Sequence, residues 1–164
     1  MILLTVGSMF PFDRLVREMD ELVGAKRIGE EVVAQIGDGS YEPKHMPFHR
    51  FLSRTAFDNL LAQSSMLISH AGAGTIAMAL QHDKRLLVVP RLARFGEHVN
   101  DHQIATARRF EELQHVLVAY EMEQLPERLQ ALRGFEPRQR HASPQRLAER
   151  IGQFLATECA PRRA

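Results

Sequence analysis

The densest chemistry in the chain lies in six consecutive residues, His70-Ala71-Gly72-Ala73-Gly74-Thr75. They follow an apolar run, Met66-Leu67-Ile68-Ser69, and lead into the small and apolar residues from Gly74 to Leu80. A strand that feeds a helix through glycines leaves the first helical N–H groups unpaired, and the helix dipole adds partial positive charge, so a phosphate fits there. Gly72 and Gly74 permit close backbone approach, while His70 and the Thr75 hydroxyl can donate further hydrogen bonds to phosphate oxygens. A tight turn whose glycines only let a helix settle on a sheet has the same spacing. No Gly-Lys-Ser/Thr follows, so the string is not a Walker loop. It is not the nicotinamide fingerprint either, which belongs after the first strand, where this chain reads Gly7-Ser8-Met9-Phe10-Pro11-Phe12.

Two further strings belong to the same reading. Gly7 and Ser8 end the first strand on the carboxyl edge shared with His70, which brings both loops to one crevice; Phe10-Pro11-Phe12 also suits a plain lid on a helix start. Gly96-Glu97-His98-Val99-Asn100-Asp101-His102-Gln103 carries six polar side chains in eight. Asp101 and Gln103 suit the vicinal hydroxyls of a sugar, and an acidic helix start capped by Asn100 or Asp101 is the rival. His98 and His102 stand at i, i+4 and could share a metal. Glu97 and Asp101 form their own i, i+4 pair, however, and no cysteine or further ligand cluster accompanies them, so no metal is expected.

The elements that position these strings are legible as alternating strand and helix. Strands are expected over Ile2 to Val6, Glu31 to Ile36, Met66 to Ser69, Leu86 to Val89 and Val116 to Leu117-Val118, with a short one within Pro43 to Phe51. Helical spacing links Phe12, Leu15, Val16, Met19, Leu22 and Val23, then Thr55 to Gln63, Gly74 to Leu80, and Ile104 to Leu113. Two more helices follow, the last with Leu147, Ile151, Phe154 and Leu155 on one face, beyond a linker-like Glu136 to Pro144. The alternation predicts an α/β, Rossmann-like parallel sheet with helices on both faces. With 164 residues, 45% of them apolar, the chain suits one domain, expected over 1–157 with a flexible tail over 158–164. Twenty-one Lys and Arg against 20 Asp and Glu leave +1, which does not suit a general nucleic-acid or anionic-membrane binder. The single Cys159 fits a reducing, cytoplasmic compartment, and no apolar run reaches the ~20 residues of a bilayer span. The start, Met1 to Gly7, lacks the flank and length of a signal peptide.

Together, His70 to Thr75, Leu86-Leu87-Val88-Val89-Pro90-Arg91 and Gly96 to Gln103 resemble, in order and spacing, the nucleotide-sugar-binding, C-terminal half of GT-B glycosyltransferases. More narrowly, the chain from Ile2 to about Phe154 resembles the donor-binding subunits of split family 28 enzymes: bacterial exopolysaccharide and capsule glucuronosyl- or galactosyltransferases, and the eukaryotic GlcNAc transferase that makes dolichol-linked chitobiose. The resemblance implies that His70, Ala71, Gly72, Ala73, Gly74 and Thr75 wrap the diphosphate of a UDP-sugar, with Gly7 and Ser8 approaching from the first loop. It implies that Asp101 and Gln103 hold donor-sugar hydroxyls, with His102 between them; Glu97, His98 and Asn100 match the bacterial subgroup. UDP-sugar is then the donor substrate and no cofactor is implied. Transfer is inverting and metal-independent, His70 and Thr75 steady the leaving diphosphate, and the catalytic base comes from a membrane-associated, acceptor-binding partner that brings the lipid-linked sugar. That partner would recruit the chain to the inner face of the plasma membrane. The C-terminal apolar stripe serves either to dock the partner or to close the chain's own core. Arg91 and Arg94 flank the sugar loop and tilt the donor towards UDP-glucuronate. One departure is Met78, which stands where many GT-B enzymes carry a ribose-gripping Glu; a thioether accepts such bonds poorly. That departure keeps open an accessory role, in which the chain stabilises a partner transferase without contributing chemistry.

Overall fold

Successive strand residues point to opposite faces of a sheet, so the near-continuous apolar strands of this chain need cover on both sides. In the computed structural model, which describes residues 1–138 and 144–158, they receive it. Six parallel strands form one sheet in the order β3-β2-β1-β4-β5-β6: β1 Ile2–Thr5, β2 Val32–Gln35, β3 Phe48–His49, β4 Met66–His70, β5 Arg85–Val89 and β6 Leu117–Val118. The helices are α1 Asp13–Gly24, α2 Arg54–Gln63, α3 Ala73–Gln81, α4 His102–Glu112, α5 Leu125–Gly134 and α6 Pro144–Glu158. On one face Leu4, Val6, Ile68 and Val89 meet Leu15, Met19 and Leu22 of α1 and Leu125, Leu129 and Leu132 of α5. On the other, Leu3, Leu67, Leu86 and Val88 meet Leu61 of α2, Ile76 and Ala79 of α3 and Ala107 of α4. Leu67 is fully buried, and truncating such a leucine to alanine costs about 2–5 kcal/mol.

Strand order reverses beside β1, because β2 and β3 lie on one side of it and β4 to β6 on the other. The loops leaving β1 and β4 therefore diverge over a crevice at the carboxyl edge, where ligands of such sheets bind. The expected strands and helices all form, with ends that differ by one or two residues; β6 starts one residue late because Val116 precedes the ladder. Two 3-10 turns, Ala93–Phe95 and Met122–Gln124, were not expected from periodicity. Ser53 caps α2 by accepting from the Ala56 N–H at 3.2 Å, and Pro126 sits in the first turn of α5, where its missing N–H costs nothing. The expected tail lies outside the described residues from Cys159 onward, as do residues 139–143 of the linker-like stretch. No helix among the described residues is long and apolar enough to cross a membrane.

Candidate functional site

A crevice of about 420 Å³ opens at the carboxyl edge, lined by Thr5, Gly7, Ser8, Gly74, Thr75 and Met78, among others. The glycine loop and the first loop thus do share one site. Its floor was not foreseen: Gln35, at the end of β2, accepts from the Thr5 hydroxyl (2.7 Å) and donates to the carbonyls of Gly7 and Arg50, both at 3.0 Å. A polar residue closing an apolar strand just before Gly37 was the signal. Phe51 and Leu52 of the β3–α2 connection and Phe57 of α2 form an apolar wall, also missed, since the sequence from Pro43 to Phe51 carries little periodicity.

A second glutamine builds the deep end. Gln103 is 3% exposed, and its Oε1 accepts from the N–H of Ala71 and of Arg91, both at 3.1 Å, tying the end of β4 to the end of β5. Backbone amides only donate, so the oxygen is identified, and the Nε2 facing His70 Nδ1 at 3.3 Å is the donor. His70 Nδ1 therefore accepts and its Nε2 carries the proton. Burial, then the charge of Arg91, pushes the imidazole pKa down to about 4, and the bond that Gln103 donates to Nδ1 also favours the uncharged ring, so it is neutral at pH 7. Two glycines make room for it. A Cβ on Gly7, whose φ is +75°, would stand 3.0 Å from His70 Nε2, and a Cβ on Gly72 would overlap the ring. A neutral N–H donor thus faces the first loop beside the unpaired N–H groups that open α3.

Arg91 is 3% exposed. One nitrogen of its guanidinium donates to the carbonyls of Val6 (2.6 Å) and Phe10 (2.5 Å), and the group lies over the Phe12 ring. Burial lowers its pKa to about 10, with Glu97 opposing, so it stays charged while bracing the first loop. Glu97 is also buried and does not pair with Asp101. It takes a bidentate ion pair from Arg14 of α1 (2.7 and 2.9 Å) and the N–H of Leu92 (2.9 Å). Arg14 was invisible as a partner because 83 residues separate the two.

The remaining string residues stand at the rim. Asp101 holds the N-cap position of α4 but its Oδ1 accepts from the Ala93 N–H at 2.7 Å instead of capping, while Asn100, one residue earlier, accepts from the His102 N–H at 3.2 Å. His98 lies between Phe10 and His102, with ring centroids 4.9 and 4.5 Å away. Burial, His102 and Arg91 all lower its pKa. Asp101 and Arg94 line a separate cavity of about 190 Å³ over the ends of β5 and β6, not the main crevice. Arg94 pairs with Glu121 at 3.2 Å, so neither arginine offered to a uronate carboxylate is idle. Of the C-terminal stripe, Ile151 and Phe154 are both more than half exposed.

The profile described as "Glycosyltransferase family 28 C-terminal domain" matches residues 1–155. Among solved structures, Acinetobacter baumannii MurG superposes with a TM-score of 0.62 at 16% identity, over 92% of this chain and 49% of that one. The solution structure of ALG13 gives 0.60 at 21%, over 92% and 93%. The glycosyltransferase VinC, in complex with DTDP, gives 0.52 at 22%, over 95% and 37%. The chain spans less than half of MurG, VinC and the kitacinnamycin glycotransferase, the last at 37%. A search of curated proteins returns no match. With this fold, and with a match along nearly its whole length, the chain belongs to the glycosyltransferase family 28 C-terminal domain family and has the donor-binding fold of GT-B glycosyltransferases.

Proposed function

We propose that the chain is the donor-binding half of a two-polypeptide, UDP-sugar-dependent glycosyltransferase acting on a lipid-linked sugar in exopolysaccharide or capsule synthesis. The observation that carries this reading is the neutral, Nε2-protonated His70, held by Gln103 against Gly7 beside the start of α3. A diphosphate seated there receives the His70 N–H, the Thr75 hydroxyl and the first N–H groups of α3. As the bond between the sugar C1 and the β-phosphate breaks, those fixed donors meet the negative charge that develops, which is the role a metal cation plays elsewhere. The apolar wall of Phe51, Leu52 and Phe57 suits the flat face of uracil, with Thr5 and Gln35 below.

The sugar then extends towards the rim string, where His98 and Asn100 offer hydroxyl contacts. UDP-glucuronate leads and UDP-galactose follows: Arg94 is exposed, and its pair with Glu121 is weak enough to be exchanged for a donor carboxylate. The resemblance of the site strings to split family 28 donor subunits supports an acceptor half carried on a separate polypeptide. A membrane-associated partner of that kind would bring a cytoplasmic chain to its acceptor.

Calorimetric titration with UDP, UDP-glucuronate, UDP-galactose, UDP-glucose and UDP-GlcNAc tests the reading. Binding that His70→Ala abolishes is expected, with UDP-glucuronate tightest. Met78 favours a second reading, an accessory subunit, because it lines the crevice without offering an acceptor to a ribose. Failure of every donor to bind, alone and with the partner, would select it.

A further inference from the structure

One proton acceptor at the rim has no role in the donor reading. Asn100 Oδ1 accepts from the backbone N–H of His102 at 3.2 Å, which identifies it as the oxygen. The same oxygen lies 2.5 Å from His102 Nδ1, and since it has no proton to give, Nδ1 carries the hydrogen. In the neutral ring the lone pair then sits on Nε2. This is the reverse of His70, whose Nε2 is the protonated nitrogen because Gln103 donates to its Nδ1. One side chain oxygen and one side chain amide thus set two imidazoles in opposite tautomers. His102 is exposed, its ring edge-on to His98, and the next residue is the Gln103 that underlies the glycine loop.

We infer that His102, oriented by Asn100, is the general base of this chain: a catalytic residue that takes the proton from the acceptor hydroxyl. The inference rests on the donor-half reading and moves the base from the partner to this polypeptide. The acceptor O–H gives its proton to His102 Nε2 as its oxygen forms a bond to the donor C1. The bond from C1 to the β-phosphate oxygen breaks, and the UDP leaves with that electron pair beside His70 and Thr75. Asn100 keeps the ring in the accepting tautomer and steadies the imidazolium that forms.

The test uses membranes from a strain of the source organism lacking this chain, which supply partner and lipid-linked acceptor, reconstituted with purified chain and radiolabelled UDP-glucuronate or UDP-galactose. For both His102→Ala and His102→Gln, the maximal rate is expected to fall about 100-fold or more. The KM and the calorimetric Kd for the donor should stay within about threefold, and added imidazole should restore part of the rate to His102→Ala. Asn100→Ala should lose about tenfold in maximal rate, and Asn100→Asp, which keeps the acceptor oxygen, should lose less. A loss that appears in KM and Kd and is repaired by Gln would make His102 a sugar contact and overturn the proposal. A maximal rate within threefold of wild type in His102→Ala would overturn it too, returning the base to the partner. If the wild-type chain neither binds a UDP-sugar nor restores transfer, the donor-half reading itself fails, and this inference with it.

Discussion

The inner wall of the crevice and its rim are built by different physics. Inside, Gln35, Gln103 and Arg91 are buried, and they spend their hydrogen bonds on the backbone of the loops around them. Outside, His98, Asn100 and Asp101 bond within their own loop, with Asn100 and Asp101 exposed and His98 half-buried. Buried amides paired at both oxygen and nitrogen are costly to disturb, whereas exposed polar groups trade partners at little cost. The inner wall therefore holds shape, and the rim is where substrate identity and proton transfer can be tuned.

The largest test of this contrast is Glu97→Ala, which strands the Arg14 guanidinium and the Leu92 N–H in a buried setting. It should cost about 3 kcal/mol or more in urea unfolding, against less than about 1 kcal/mol for Glu121→Ala, which removes the exposed partner of Arg94. A similar loss in both would erase the distinction between wall and rim.

Next comes pH. Because the folded pKa of His70 is about 4, below the ordinary value near 6.5, the unfolded chain binds the proton more readily. This contribution is whole above pH 6.5, falls away as pH drops towards 4, and amounts to roughly 3 kcal/mol. Denaturation midpoints across that window should show the slope in wild type and lose most of it in His70→Gln.

Gly72→Ala should weaken UDP binding about 100-fold by calorimetry while the fold persists, since the added methyl displaces the His70 ring. Gly74 has open space at the same point, so Gly74→Ala, inside α3, should raise stability by about 0.5–1 kcal/mol. A gain in affinity is expected at one position: Met78→Glu should tighten UDP binding about tenfold if the ribose lies against that position, and unchanged affinity would remove Met78 as the weak point.

The order of strands and helices was legible because fully buried parallel strands announce themselves as short apolar runs, and the glycine loop because a phosphate cradle needs small residues at a strand-to-helix turn. What stayed hidden was the division of labour among polar residues. Gln103 and Asp101 look alike in sequence as candidates for sugar hydroxyls, yet Gln103 is a buried strut and Asp101 a rim residue facing another cavity. Arg91 and Arg94 likewise read as a pair, but one is locked under the first loop and the other is solvated. Arg14 and Gln35 escaped notice because their partners are distant in sequence, and local spacing carries no trace of such contacts.

Gln103 has one more consequence. Its carbonyl continues the hydrogen bonding of the β4–β5 pair one step past the last backbone rung, so the amides of Ala71 and Arg91 are held by a side chain anchored in α4. Those two amide protons can exchange with deuterium only when α4 lifts from the carboxyl edge. Their exchange rates, compared with those of Leu67 or Val88 in the ladder, give a clock for the opening of the site that runs separately from the unfolding of the sheet.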